Sequence, residues 1–89
     1  MKIWSSGHME HLITSPKSLG NAIRTVRKRA GLTQKELGDQ LGMDQATVSY
    51  IERGNPGSRL DTILHLLSVL DLAMELRPRK GVTPQSGEW

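Results

Sequence analysis

Residues 33–52 read T-Q-K-E-L-G-D-Q-L-G-M-D-Q-A-T-V-S-Y-I-E, and few folds can use that order of residues. The spacing predicts two short helices joined by a tight turn. Thr33 and Glu36 stand at the two ends of a capping-box spacing, so Thr33 is the expected N-cap. Leu37 and Leu41 are four apart and share one face of the first helix. Gly38, between them, leaves room for another backbone to come close. Gly42 then ends the helix, because glycine enters the left-handed conformation without steric cost. Met43 is apolar and can plug the corner. Asp44 caps a second helix whose inward residues are Val48 and Ile51. Two helices joined by a short glycine-containing turn make a helix-turn-helix.

The outward side of the second helix carries the functional signal. Gln45, Ala46, Ser49 and Tyr50 are short or hydrogen-bonding residues, not the Lys/Glu mixture of a solvated face. Glutamine can pair bidentately with adenine, serine can donate or accept, and alanine can touch a thymine methyl. A purely structural helical hairpin is the alternative. Such a hairpin would seldom combine a small residue at 38, a turn glycine at 42 and apolar residues at 37, 41, 43, 48 and 51. DNA binding is therefore the favoured reading of this stretch.

The flanks bear on how such a motif is held. Eighty-nine residues make one small domain with a modest core, to which a dimer would add burial. The net charge of +3 is too small to argue for nucleic acid by itself. Its distribution says more: Lys17, Arg24, Arg27, Lys28 and Arg29 cluster with no acid between residues 16 and 30. Such a patch attracts phosphates, although a solvated helix face reads the same way. No cysteine is present, so neither a disulfide framework nor a thiolate metal site is expected. No apolar run approaches bilayer length and no secretory signal is evident, which makes the cytoplasm the expected compartment.

Residues 1–14 show no periodic element and are set aside as an N-terminal extension; Gly7-His8-Met9 resembles a cloning scar, with Met9 as an alternative start. Ser15-Pro16 opens a helix, as an N-cap followed by proline at the first helical position. Its apolar stripe is Leu19, Ala22, Ile23, Val26 and Ala30, with Lys17, Arg24 and Lys28 opposite. Gly54 stops the second helix of the helix-turn-helix, and Asn55-Pro56-Gly57-Ser58 form a turn-rich loop. A last helix from about Arg59 to Leu70 carries an apolar stripe broader than one core contact requires. Either it is deeply buried or it serves both core and subunit interface, and the second is favoured in so short a chain. Leu72 to Arg77 then alternate with period two, as a strand does. Apart from His11 to Thr14 the chain offers no other good strand, so the expected partner is the same strand of a second subunit. Leu66, Val69, Leu70, Leu72, Met74 and Leu76 are the candidate dimer-interface residues. The folded domain is thus expected to span 15–77. Residues 78–89 read as a disordered tail that ends, unusually, in Trp89.

Other chemistries find no support. His8, His11 and His65 lack useful ligand spacing, so no metal is expected. There is no nucleophile-elbow context, and Gly54 to Gly57 are not followed by Gly-Lys-Ser/Thr. No enzyme and no cofactor are expected. The candidate DNA base contacts are Asp44, Gln45, Ala46 and Ser49. The candidate phosphate contacts are Gln34, Lys35, Thr47, Tyr50 and Arg53. Asp44 either caps its helix or accepts from a cytosine amino group.

Residues 19–70 resemble the Xre/Cro helix-turn-helix family in L-G-N-A-I-R-T-V-R-K-R-A-G-L-T-Q-K-E-L-G, in V-S-Y-I-E-R-G and in the helix from Leu60. The resemblance implies an all-α, lambda-repressor-like bundle of four to five helices that binds operator DNA as a homodimer, here with a short C-terminal strand pairing across it. It also implies that Arg27 pairs with Glu52. A closer resemblance is to the HipB-type antitoxins, in S-P-K-S-L-G-N-A-I-R-T-V-R, Q-A-T-V-S, Leu70 to Leu76 and the terminal Glu88-Trp89. It implies repression of the protein's own operon and binding of HipA, a serine/threonine kinase toxin, with Trp89 on the toxin-binding tail. Asp44 departs from the pattern, since a basic residue there would suit DNA better. A stand-alone phage-type regulator, or a protein-interaction module with little DNA binding, is the alternative.

Overall fold

The computed structural model describes residues 2–5, 10–76 and 78. Along them run β1 (Lys2–Ser5), β2 (Glu10–Leu12), α1 (Pro16–Arg29), α2 (Gln34–Leu41), α3 (Gln45–Glu52), α4 (Leu60–Val69) and β3 (Leu72–Glu75). Local chemistry accounts for the helix ends. Ser15 caps α1, accepting from the Ser18 amide at 3.1 Å, while Ser18 Oγ accepts from the Ser15 amide at 3.0 Å. Thr33 and Glu36 make the same reciprocal pair at the head of α2. Gly42 ends α2 at φ 70°, left-handed backbone that favours glycine. The Met43 amide donates to the Gly38 carbonyl at 2.9 Å, closing the turn between α2 and α3.

The four helices enclose one core. Ile23, Leu37, Val48 and Leu66 are its largest fully buried side chains, one from each helix. The stripes along α1 and α4 converge on the inward faces of the two short helices, which are too brief to be stable alone. The α2–α3 pair therefore depends on α1 and α4 for its geometry.

The sheet departs from expectation. β3 does not lack a partner in its own chain: β1 pairs with it antiparallel, Ile3 opposite Met74 and Ser5 opposite Leu72. β1 also pairs with β2, giving the order β2-β1-β3. The segment before residue 15, set aside as an extension, thus contributes two of three strands. The physical reason is the one that called for a second subunit: a strand must satisfy its backbone groups. Here the N-terminal segment does so along one side of β3.

The expected dimer face is also corrected. Leu66 is fully buried, and Leu70 and Leu72 are buried with it in the chain's own core. None of the three has surface left for a partner. Part of the broad stripe of α4, Ile63, Leu66, Leu67 and Leu70, is covered within the chain, where α2 and β3 both pack on the helix. Val69 and Met74 are half-buried against the same core. Of the six, Leu76 is exposed, at 78%, and it is joined as exposed leucine by Leu60 and Leu64 of α4.

Helix α1 crosses α3 closely at Gly20. A Cβ there would lie 2.5 Å from the Glu52 carbonyl oxygen and 2.6 Å from that of Ile51. Both are backbone atoms that cannot swing away. Gly20→Ala should therefore destabilise the fold by about 1–3 kcal/mol, despite alanine's better helix propensity. Urea unfolding of the two proteins measures it; equal midpoints would mean that the crossing is loose.

Candidate nucleic-acid interface

The interface is built from the buried end of α3 outward. Arg27 and Glu52 are both buried and form a bidentate ion pair, Nε to Oε2 at 2.6 Å and Nη2 to Oε1 at 3.0 Å. Arg27 Nη1 also donates to the Leu32 carbonyl at 2.8 Å, just before α2. One guanidinium thus fixes α1 to the start of α2 and the end of α3. From Glu52 the network continues outward. Gln34 Nε2 donates to Glu52 Oε1 at 3.1 Å, and Gln45 Nε2 donates to Gln34 Oε1 at 3.3 Å. A chain of side chains therefore runs from the interior to the first residue of α3.

Val48, Ile51 and Glu52 face inward on α3, whereas Gln45, Ala46, Thr47 and Tyr50 are exposed and Ser49 is half-buried. Asp44 caps the helix. Its Oδ1 accepts from the Thr47 hydroxyl at 2.7 Å and the Thr47 amide at 2.9 Å. The Thr47 hydroxyl and amide hold the exposed Asp44 carboxyl below its ordinary pKa. Oδ2 takes no part in those two bonds. Of the two roles open to Asp44, the geometry shows capping; Thr47 is engaged in it. The Tyr50 hydroxyl donates to the Pro56 carbonyl at 2.8 Å, and Asn55 Nδ2 donates to the Tyr50 carbonyl at 3.1 Å. Tyr50 therefore ties α3 to the following loop.

Gln34, Lys35, Gln45 and Arg53 line one open cleft, floored by Arg27 and Glu52. Lys35 is paired with Asp39 at 3.1 Å, an exposed i,i+4 contact of little energetic weight. Arg53 Nε donates to the Ser49 carbonyl at 3.3 Å. Arg24, from α1, lines the same cleft; the sequence places it in the basic cluster but does not single it out as a phosphate contact. Its signal was the basic run at 24–29, in which nothing distinguishes a cleft-lining cation from a solvated one. Trp89 lies outside the described residues. Among the described residues no group of three or more His, Cys, Asp and Glu is placed to hold a metal, and no helix is long and apolar enough to cross a membrane.

Comparison with known proteins agrees with this arrangement. Residues 18–80 match the family described as a helix-turn-helix domain. The chain is 40% identical over 76 residues to Antitoxin HipB of Escherichia coli strain K12, covering 85% of this chain and 86% of that protein. It superposes on a chain of a HipA-HipB-O2-O3 complex with a TM-score of 0.70 and 39% identity, covering 78% of this chain and 97% of the other. It is also similar to the restriction-modification controller protein C.AhdI from Aeromonas hydrophila. There the TM-score is 0.59 and the identity 34%, over 63% of this chain and 81% of that one.

The buried pair sets a stability test. Glu52→Ala leaves the Arg27 guanidinium buried without its counter-charge and should cost about 3–5 kcal/mol in urea unfolding. Replacing both partners, Arg27→Met with Glu52→Leu, should recover much of that loss. A Glu52→Ala protein within about 1 kcal/mol of wild type would show that the pair is dispensable to the fold.

Proposed function

The chain belongs to the helix-turn-helix domain family, and from that premise we propose that it is a HipB-type antitoxin. In this reading it is a sequence-specific DNA-binding repressor of its own operon and the partner of a HipA-like serine/threonine kinase toxin. It is a binding protein and not an enzyme. One observation carries the reading: α3 is locked on its inner side by Val48, Ile51 and Glu52, while Gln45, Ala46 and Thr47 stand exposed beside a cation-lined cleft. That is what a helix entering a major groove requires: a rigid base, a short polar face and positive charge on the flank.

Two copies of α3, one per subunit, would enter successive major grooves of a palindromic operator, about 34 Å apart. Gln45, Ala46 and Ser49 would meet base edges, and Asp44 Oδ2 could accept from a cytosine amino group without breaking its cap. Gln34, Lys35 and Arg53 would meet phosphates, and Thr47 and Tyr50 would do so by turning their hydroxyl protons from Asp44 and Pro56 to a phosphate oxygen. The second copy would add its β3 to the outer edge of this β3, with Leu60, Leu64 and Leu76 of each copy closing the contact. Those leucines are exposed at 66%, 47% and 78%. Residues 15–77 with the N-terminal strands would form this body, and the tail from 78 would carry Trp89 to the kinase. The cytoplasm, at the nucleoid, is the compartment where all of these partners meet.

A band-shift titration against the DNA upstream of its own coding sequence tests the reading; no preference over random duplex would overturn it. Gln45→Ala should cost about 1–3 kcal/mol and relax specificity at one base pair. An equal loss for every sequence would remove Gln45 from base reading. Copurification of a larger kinase-like chain tests the toxin partnership. For the dimer, Leu64→Glu with Leu76→Glu should shift sedimentation from dimer to monomer while the helical signal persists; an unchanged dimer would place the interface elsewhere.

A further inference from the structure

We propose that Arg24 is a DNA-phosphate-binding residue, the contribution of α1 to a cationic clamp beside the recognition helix; this rests on the DNA-binding reading above. Three cations line the cleft without being neutralised at its floor, each from a different place in the fold: Arg24 of α1, Lys35 of α2 and Arg53 at the end of α3. Arg27 also lines it, but its charge is matched by Glu52. Lys35 and Arg53 both have partners within the chain. Arg24 makes no hydrogen bond or ion pair among the described residues, although five N–H donors are available on its side chain.

Its position is nonetheless well fixed. The adjacent Ile23 is fully buried, and Ala22 and Val26 are buried on the same helix. One turn on, Arg27 is locked by Glu52 and Leu32. The backbone that carries Arg24 is therefore held by buried neighbours on both sides, while the residue itself is exposed. A planar fork on a rigid root suits the two free oxygens of a phosphodiester. The cleft opens beside Gln45, so a duplex read by the head of α3 would run its backbone along this wall. Because a phosphate carries no base identity, Arg24 should set affinity and register but not sequence preference.

The salt dependence of binding tests this. Wild type, Arg24→Ala, Arg24→Lys and Arg29→Ala would be titrated with two duplexes across a potassium chloride series. One duplex is the DNA upstream of the coding sequence and the other is of random sequence. Arg29 lies on the same helix and is exposed, but does not line the cleft, so it controls for net charge. Arg24→Ala should weaken both duplexes by the same factor, about tenfold. The slope of log K against log salt should shrink by about 0.9 per bound subunit. Arg24→Lys should keep the slope and lose part of the affinity. An unchanged slope for Arg24→Ala, or an equal effect of Arg29→Ala, would overturn the assignment. If wild type binds both duplexes and Arg24→Ala matches it, the inference alone fails. If wild type binds neither duplex, the DNA-binding reading fails with it.

Discussion

The Arg27–Glu52 pair is the contact on which the rest of this structure depends. Burying two charges is costly, and a well-packed apolar pair of equal volume can be as stable. What the ion pair adds is direction. Its two parallel N–H···O bonds fix the relative orientation of α1 and α3, and the third bond, to the Leu32 carbonyl, fixes the entry to α2. Hydrophobic contacts alone tolerate sliding; a bidentate fork does not. In a helix pair whose task is to present one face at a defined angle, that restriction matters more than the net energy.

Close packing acts together with the pair. The Gly20 crossing brings the α1 backbone against the last turn of α3, next to Glu52 itself. Gly38 plays the matching part in α2, where a Cβ would meet the Met43 carbonyl oxygen at 2.6 Å. Both ends of α3 are thus set by backbone contact with glycine, one at its head and one at its tail. The side-chain relay from Glu52 through Gln34 to Gln45 then links those ends across the exposed face. A disturbance at the buried carboxylate reaches the first residue of α3 through two hydrogen bonds.

Much of this was legible in the sequence because it is local. Caps need only a side chain and an amide three residues on, so Ser15, Thr33 and Asp44 announce α1, α2 and α3. The turn at Gly42 and the inward pair Val48 and Ile51 follow from helical period. The sheet was not legible for the opposite reason. Strand pairing joins residues far apart, and the Ile3 to Met74 pairing has no local signature. The stripe of α4 is wide because it faces more than the core: Leu66 and Leu70 are buried within the chain, while Leu60 and Leu64 stay exposed. Width reports how much of a helix is covered and not whether α2, β3 or a second subunit covers it. Gly20 likewise looks like any helical glycine until the α3 carbonyls are placed against it. Arg24 fell between the two cases: its charge was plain, but its membership of the cleft depends on how α1 lies against α2 and α3.

Asp44 shows how one position can serve opposed demands. A carboxylate at a helix N-terminus is stabilised by the helix dipole and by the Thr47 amide and hydroxyl, which keep it ionised at neutral pH. The same charge stands at the head of α3 and repels any anion, a phosphate included, that approaches it. The two Thr47 bonds occupy Oδ1 and leave Oδ2 as a second acceptor. An acceptor in the major groove is matched by amino groups and opposed by carbonyls and ring nitrogens, which favours cytosine, or the adenine amino group, over guanine. The repulsion must be offset nearby, and the cations that can offset it are those along the cleft: Lys35, Arg53 and Arg24. In the proposed DNA-bound arrangement the acidic cap and the cationic wall form one electrostatic unit, the wall supplying attraction and the cap narrowing the sequences that can use it.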